Sequence, residues 1–169
     1  MKKYQVSISF AGEDEKIVSE VYKCLISEGV KVFYAPMKQH EMAGEDLVKK
    51  EYQIYLHESD YVLAFISKDY VKKVNPMREA RTALMKNMLE ESERLIPVIL
   101  DGTNLPGLDK DIVYIRSTDP IYIAAIVARK IGDGYQQEKN QNHNNHTNIG
   151  AQNNYGGNVF NYFSDDENK

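Results

Sequence analysis

Two rhythms of apolar and polar residues alternate along this chain of 169 residues. Gln5 to Ala11 is rich in Val, Ile and Phe with polar residues between them, which predicts a short strand. Gly12-Glu13-Asp14 follows, and acidic residues there suit a helix start. Ile17, Val18, Val21, Tyr22, Leu25 and Ile26 then recur at helical spacing until Gly29 closes the helix. Val30 to Tyr34 predicts a second strand and Leu47 to Ser59 a second helix. Tyr61 to Ile66, a continuous apolar run, predicts a third strand buried on both faces. Asn75-Pro76 opens another helix, with Asn as N-cap and Pro at the first helical position, and Ala80, Ala83, Leu84 and Met88 carry it on. Leu95 to Leu100 and Ile112 to Ile115 supply two more strands, and Ile121 to Ile131 a last helix ending near Gly132. Five strands alternating with helices imply an α/β fold built on a parallel, doubly wound sheet. Such a sheet takes its ligands outside the carboxyl ends of its strands. Of the connections there, Ala35 to Asp46 is long for a compact domain, and loops of that kind are usually functional or mobile.

Past the last helix the rhythm stops. Gln136 to Thr147 has no apolar residue and no periodicity, so it reads as a polar tether. His143 and His146 stand within it without a helical pattern or further ligands, and no metal site is expected. From Asn148 to Phe163 the amides and glycines are interleaved with Ile149, Val159 and Phe160, a composition that neither a plain linker nor a packed core requires.

Charge and composition narrow the possible partners. Lys+Arg 21 against Asp+Glu 25 leaves no basic field to neutralise a phosphate backbone, so no nucleic-acid partner is expected. Cys24, the single cysteine, lies in an apolar helical pattern; it excludes an internal disulfide framework and reads as a small core residue. No run approaches membrane-spanning length, and the start MKKYQVSISF holds no signal-peptide stretch, so the expectation is a cytoplasmic chain without a membrane partner.

The strand ends also exclude familiar ligands. Neither G-x-G-x-x-G nor G-x-x-x-x-G-K-[ST] follows strand one, and the acids of Phe10-Ala11-Gly12-Glu13-Asp14 would repel a phosphate. A phosphate-accepting receiver domain needs carboxylates at the tips of strands one and three, where this chain has Ser9-Phe10 and Ser67. The segments VSISFAGEDEKIVSEVYKCLISEGVKVFY, AGEDL, LAFISKDYV and REARTAL instead occur in an order and spacing that resemble a bacterial TIR (Toll/interleukin-1 receptor) domain, from Tyr4 to about Ile131.

That resemblance implies a flavodoxin-like, five-stranded parallel sheet and, as in many bacterial members, cleavage of NAD+ in antiphage defence; other members act only as scaffolds. Ser67, Tyr70 and Glu79 match the family's Ser-x-x-Tyr turn and catalytic glutamate, so the resemblance makes Glu79 the catalytic candidate. Phe10, Ala11, Tyr34, Ser67 and Tyr70 become candidates for the substrate wall, and Met42, Ala43, Gly44, Glu45 and Asp46 for a loop that moves during assembly. Many relatives place a Trp four residues before the glutamate, where this chain has Asn75. NAD+ enters as substrate, with no cofactor implied. A glutamate suits this chemistry because the ribose–nicotinamide bond breaks through an oxocarbenium-like state. Nicotinamide leaves neutral, so the remaining demand is negative charge beside the ribose. At the start of its helix, Glu79 is expected to be favoured in its ionised form by the dipole.

The tail carries a looser resemblance. Ile149, Gly150, Gln152, Gly157, Asn158, Val159 and Phe160 resemble the short amyloid signalling motifs that end bacterial immune effectors, whose usual partner is an NLR-like receptor with a matching segment. The expected organisation is therefore a TIR domain over 1–134, a polar linker over 135–147, a disordered or fibril-forming motif over 148–163 and an acidic end over 164–169. The expected function is an NAD+ glycohydrolase or ADP-ribosyl cyclase activated by self-assembly. The alternative is a non-enzymatic TIR adaptor acting by homotypic assembly.

Overall fold

The computed structural model describes residues 2–38, 46–80, 83, 94–107 and 112–151, with side chains throughout except at 47, 48 and 136–151. Five parallel strands run through it: β1 Tyr4–Ser9, β2 Val32–Phe33, β3 Ser59–Ile66, β4 Leu95–Ile99 and β5 Ile115–Arg116. Their spatial order is β2-β1-β3-β4-β5, the flavodoxin-like arrangement that the family resemblance implies. Ser9 pairs with Ala64 and Ile66 with Ile99, so the carboxyl ends of the three central strands form one rim. The two edge strands are two residues each, which leaves little unpaired backbone for edge-to-edge association.

Helices cover both faces because consecutive residues of a strand point to opposite sides. In β3, Val62, Ala64 and Ile66 share a cluster with Ile54, Tyr55, Tyr70, Met77, Ala80 and Ala83, on the side of α2 Leu47–Gln53 and of α3, described over residues 74–80 and at 83. On α1, Glu15–Ser27, the buried Val18, Val21 and Leu25 form one stripe at helical spacing. Burying an aliphatic side chain of this size contributes about 1.5–3 kcal/mol, which is why these stripes dictate the layering. Gly29 ends α1 at φ 77°, a left-handed backbone in which its amide reaches Ile26 O and Val30 N reaches Leu25 O.

Four elements differ in their bounds from the sequence reading. The second helix ends as α at Gln53 and continues as a π turn, Ile54–Glu58, directly into β3. β2 is confined to Val32–Phe33 and β5 is displaced to Ile115–Arg116, since edge positions offer only one neighbour to pair with. The last helix, α4 Pro120–Ala151, passes the expected stop at Gly132, which lacks the left-handed φ of a helix-ending glycine. The stretch expected to be a tether is helical through Ala151; Gln136, Gln137, Glu138 and Lys139 at its start are good helix formers. Met1–Gly132 forms one compact unit and Asp133–Lys169 another. Among the described residues, no helix is long and apolar enough to cross a membrane.

Candidate active site

The order of strands reverses between β1 and β3, and there a carboxylate and three hydroxyls converge. β1 carries Ser7 and Ser9 on a strand whose faces are both covered, so each hydroxyl needs a partner. Ser7 Oγ donates to the Tyr61 carbonyl of the neighbouring strand at 3.3 Å. Ser9, at the strand's carboxyl end, instead lies 2.5 Å from Glu79 Oε2 and 2.9 Å from the Tyr70 hydroxyl. The Tyr70 hydroxyl donates to the Pro76 carbonyl at 3.0 Å, which links the turn after β3 to the opening of α3.

The Ser-x-x-Tyr turn explains how Tyr70 reaches this point. Ser67 Oγ accepts from the Tyr70 amide at 3.1 Å and donates to Asp14 Oδ2 at 2.6 Å, fastening the loop after β3 to the loop after β1. Lys73 Nζ meets Glu13 Oε1 at 2.7 Å across the same two loops, an exposed pair that adds little stability but agrees in register. A further hydroxyl comes from the π turn, where Tyr55 donates to the Ile8 carbonyl at 2.7 Å. π turns recur at functional sites because one extra residue re-aims the side chains that follow.

Glu79 is partly buried, and burial pushes its carboxyl from the ordinary 4.5 up to about 7. The Ser9 hydrogen bond opposes this rise, the nearby Glu51 carboxyl adds to it, and the Tyr55 hydroxyl and the Arg78 guanidinium hold it down. Tyr55 has a single proton to divide between Ile8 O and Glu79; the 2.7 Å contact assigns it to the carbonyl. Burial raises the Tyr55 and Tyr70 hydroxyls far enough that both stay protonated. Glu51 is also pushed up by burial, with Arg78 opposing.

Two expectations for α3 are corrected. Helical residues begin at 74, so Asn75 lies inside the first turn, where its Oδ1 accepts from Arg78 Nη2 at 3.2 Å instead of capping the helix. Glu79 thus sits in the second turn, beyond the strong part of the dipole, and desolvation moves its carboxyl the opposite way from the dipole's pull.

Of the residues singled out in the sequence, Glu79 and Tyr70 are brought together through Ser9. Phe10 is half-buried just past β1 and Ala11 is buried beside it. Tyr34 is 1% exposed, its ring stacked on Tyr22 at 4.7 Å and tilted against Phe10 at 5.6 Å, so it packs as core; its hydroxyl has no partner among the described residues. Ser67 serves the turn and Asp14 rather than the Glu79 cluster. Asp46 caps α2, accepting from the Lys49 amide at 3.2 Å. Met42, Ala43, Gly44 and Glu45 lie outside the described residues, as do Gln152, Gly157, Asn158, Val159 and Phe160 of the tail. The sequence reading missed Ser9, Glu51 and Tyr55 as site residues. A serine at the tip of a doubly covered strand was the available signal for Ser9; the π turn that aims Tyr55 has no counterpart in periodicity.

The chain belongs to the TIR domain family, whose profile matches residues 6–127. Over 130 residues it is 32% identical to the 3' cyclic ADP-D-ribose synthase AaTIR of Aquimarina amphilecti, covering 76% of this chain and 40% of that protein. The chain thus matches well under half the length of that curated relative. Its fold superposes on the TIR domain of the Toll-related receptor TRR-2 of Hydra magnipapillata with a TM-score of 0.59 at 16% identity, covering 79% of this chain and 98% of that one.

Proposed function

We propose that this TIR domain cleaves NAD+ at the bond between nicotinamide and ribose, as a glycohydrolase or an ADP-ribosyl cyclase, with Glu79 as the catalytic carboxyl. The observation that carries this reading is the placement of Glu79, partly buried at the β1/β3 switch point and held by Ser9. The likeness to a cyclic ADP-ribose synthase supports it. The bond's electron pair departs with nicotinamide, which becomes neutral, while positive charge develops on the ribose. A carboxylate in a water-poor site opposes that charge far better than one in bulk water. Water, or a hydroxyl of the substrate's own distal ribose, then forms the new bond at the ribose carbon and releases its proton.

The pyridinium of NAD+ also gives the substrate a local positive charge beside a carboxyl that rests near neutrality. Its arrival favours the ionised form of Glu79, so the charge appears where and when it is needed. Phe10 and Ala11, at the tip of β1, form the adjoining wall in this reading, and the Asn75 departure from the family's Trp leaves that wall to other residues. Self-assembly completes the pocket, through the loop that includes Met42 to Asp46, in the service of antiphage defence. The enzymatic reading is tested by incubating the assembled full chain with NAD+ and following nicotinamide release, with mass spectrometry of the remaining product. Glu79→Gln is expected to abolish release. Absence of release by the wild type overturns the enzymatic reading in favour of a scaffold, and undiminished release by the variant overturns the assignment of Glu79.

A further inference from the structure

Proton counting around Ser9 assigns a role to two hydroxyls. Three contacts run in series, Glu79 to Ser9 at 2.5 Å, Ser9 to Tyr70 at 2.9 Å and Tyr70 to the Pro76 carbonyl at 3.0 Å. Each needs one proton, and the last acceptor is a carbonyl that can give none. Ser9 and Tyr70 together supply only two. All three bonds exist at once only when the carboxyl of Glu79 carries the third proton and donates to Ser9, which donates to Tyr70, which donates to Pro76. When Glu79 is ionised, Ser9 must turn and donate to it, and Tyr70 turns to donate to Ser9. Three other groups bear on the same carboxyl. Tyr55, from the π turn, gives its proton to Ile8 O; Glu51, from α2, is a carboxyl that opposes ionisation of Glu79; Arg78, on α3 itself, favours it.

We propose that Ser9 and Tyr70 form a hydroxyl relay that reverses direction with the proton on Glu79, storing a neutral acid in the empty site and supplying a donor to the carboxylate once a cationic ring binds. This rests on the reading of Glu79 as the carboxyl facing the ribose. Both are positioning residues, since they act on the reaction through Glu79. Their removal has opposite effects. The protonated state uses Tyr70 twice, as acceptor from Ser9 and donor to Pro76, whereas the ionised state uses it once. Tyr70→Phe therefore costs the protonated state more and favours ionisation. Ser9→Ala takes two neutral bonds from the acid and one charge-assisted bond, roughly twice as strong as a neutral one, from the carboxylate; since the Ser9 bond holds the carboxyl down, its loss favours the acid.

The test is an infrared titration of the carboxyl C=O band of Glu79 in the full chain without NAD+, the band being assigned by its loss in Glu79→Gln. The wild-type midpoint is expected near 7. Ser9→Ala is expected to raise it by less than about one pH unit, because the charged bond lost by the carboxylate is partly offset by the neutral bonds lost by the acid, and Tyr70→Phe to lower it. The acid limb of the nicotinamide-release profile should move with each midpoint. Midpoints that move in the same direction, or not at all, overturn the relay. Tyr70→Phe keeps the ring and its packing, so a wild-type midpoint in that variant overturns the relay even if Ser9→Ala does not fold. A wild-type chain that titrates as expected but releases no nicotinamide overturns the function proposed above and leaves the relay standing as a property of the fold.

Discussion

At the scale of single residues, Glu79 combines two demands that conflict. In the proposed reaction its carboxyl is ionised to oppose a developing cation, yet burial among Ser9, Tyr55 and Tyr70 raises it to about 7 from an unfolded value near 4.5. Because the folded state holds this proton more tightly, the group's contribution to stability is fully present below the unfolded value and is lost as pH rises through the folded one. Integrated over that window the loss is at most roughly 3 kcal/mol, and partial exposure reduces it. Glu79→Gln, which carries no charge to desolvate, is therefore expected to be more stable than the wild type in urea unfolding at alkaline pH. The difference should shrink towards zero in mild acid. Equal stability of the two proteins across that range would show that the carboxyl is hydrated in the folded state. A site residue that destabilises its own fold is a common mark of function.

At the scale of elements, the π turn Ile54–Glu58 decides the geometry that helical periodicity alone does not. It brings Tyr55 under the end of β1, where its hydroxyl satisfies Ile8 O just before the strand releases Ser9. Tyr55→Phe keeps the ring's packing against Phe33, whose centroid lies at 6.1 Å, but leaves a buried carbonyl without that donor. The expected cost is about 1–2 kcal/mol of unfolding free energy, read as a lower urea midpoint with an unchanged slope. Nicotinamide release should also slow, because Ile8 and Ser9 are adjacent on β1. The turn after β3 works in the same way: Ser67 ties Tyr70 and Asp14 together, so its function in the fold is to set the distance between two loops.

At the scale of the whole molecule, the unit Met1–Gly132 contains the complete sheet and the Glu79 cluster. A chain truncated after Gly134 is therefore expected to stay folded, with a cooperative thermal transition, and to lose any response to a seed acting through the tail. A peptide spanning Asn148 to Phe163 is expected to form thioflavin-positive fibrils with the ~4.7 Å cross-β spacing, its amides laddered and its Ile, Val and Phe interdigitated. If that peptide stays soluble when seeded, the trigger lies in the TIR domain. Self-association makes a separate prediction: specific activity should fall on dilution below the concentration at which light scattering reports only monomer. Constant specific activity there would sink the requirement for assembly.

The sequence by itself determined the layers and the parallel sheet, because hydrophobic burial is periodic and periodicity is written in the order of residues. Val18, Val21 and Leu25 on α1 and the unbroken run in β3 needed no structure to be read. Ser67, Tyr70 and Glu79 were legible through the resemblance to the TIR family, which a motif of local spacing can carry. What only the tertiary structure decided is what Glu79 is. Its partner Ser9 is 70 positions away in the chain, Tyr55 arrives through a turn with no sequence period, and Glu51 bears on it from another helix. The sequence reading took the local term, a helix dipole, and inferred an ionised acid; the fold added desolvation, which depends on everything packed around the group and reversed the sign. Short-range order fixes where a residue sits in its element, whereas its proton is set by neighbours that only folding assembles.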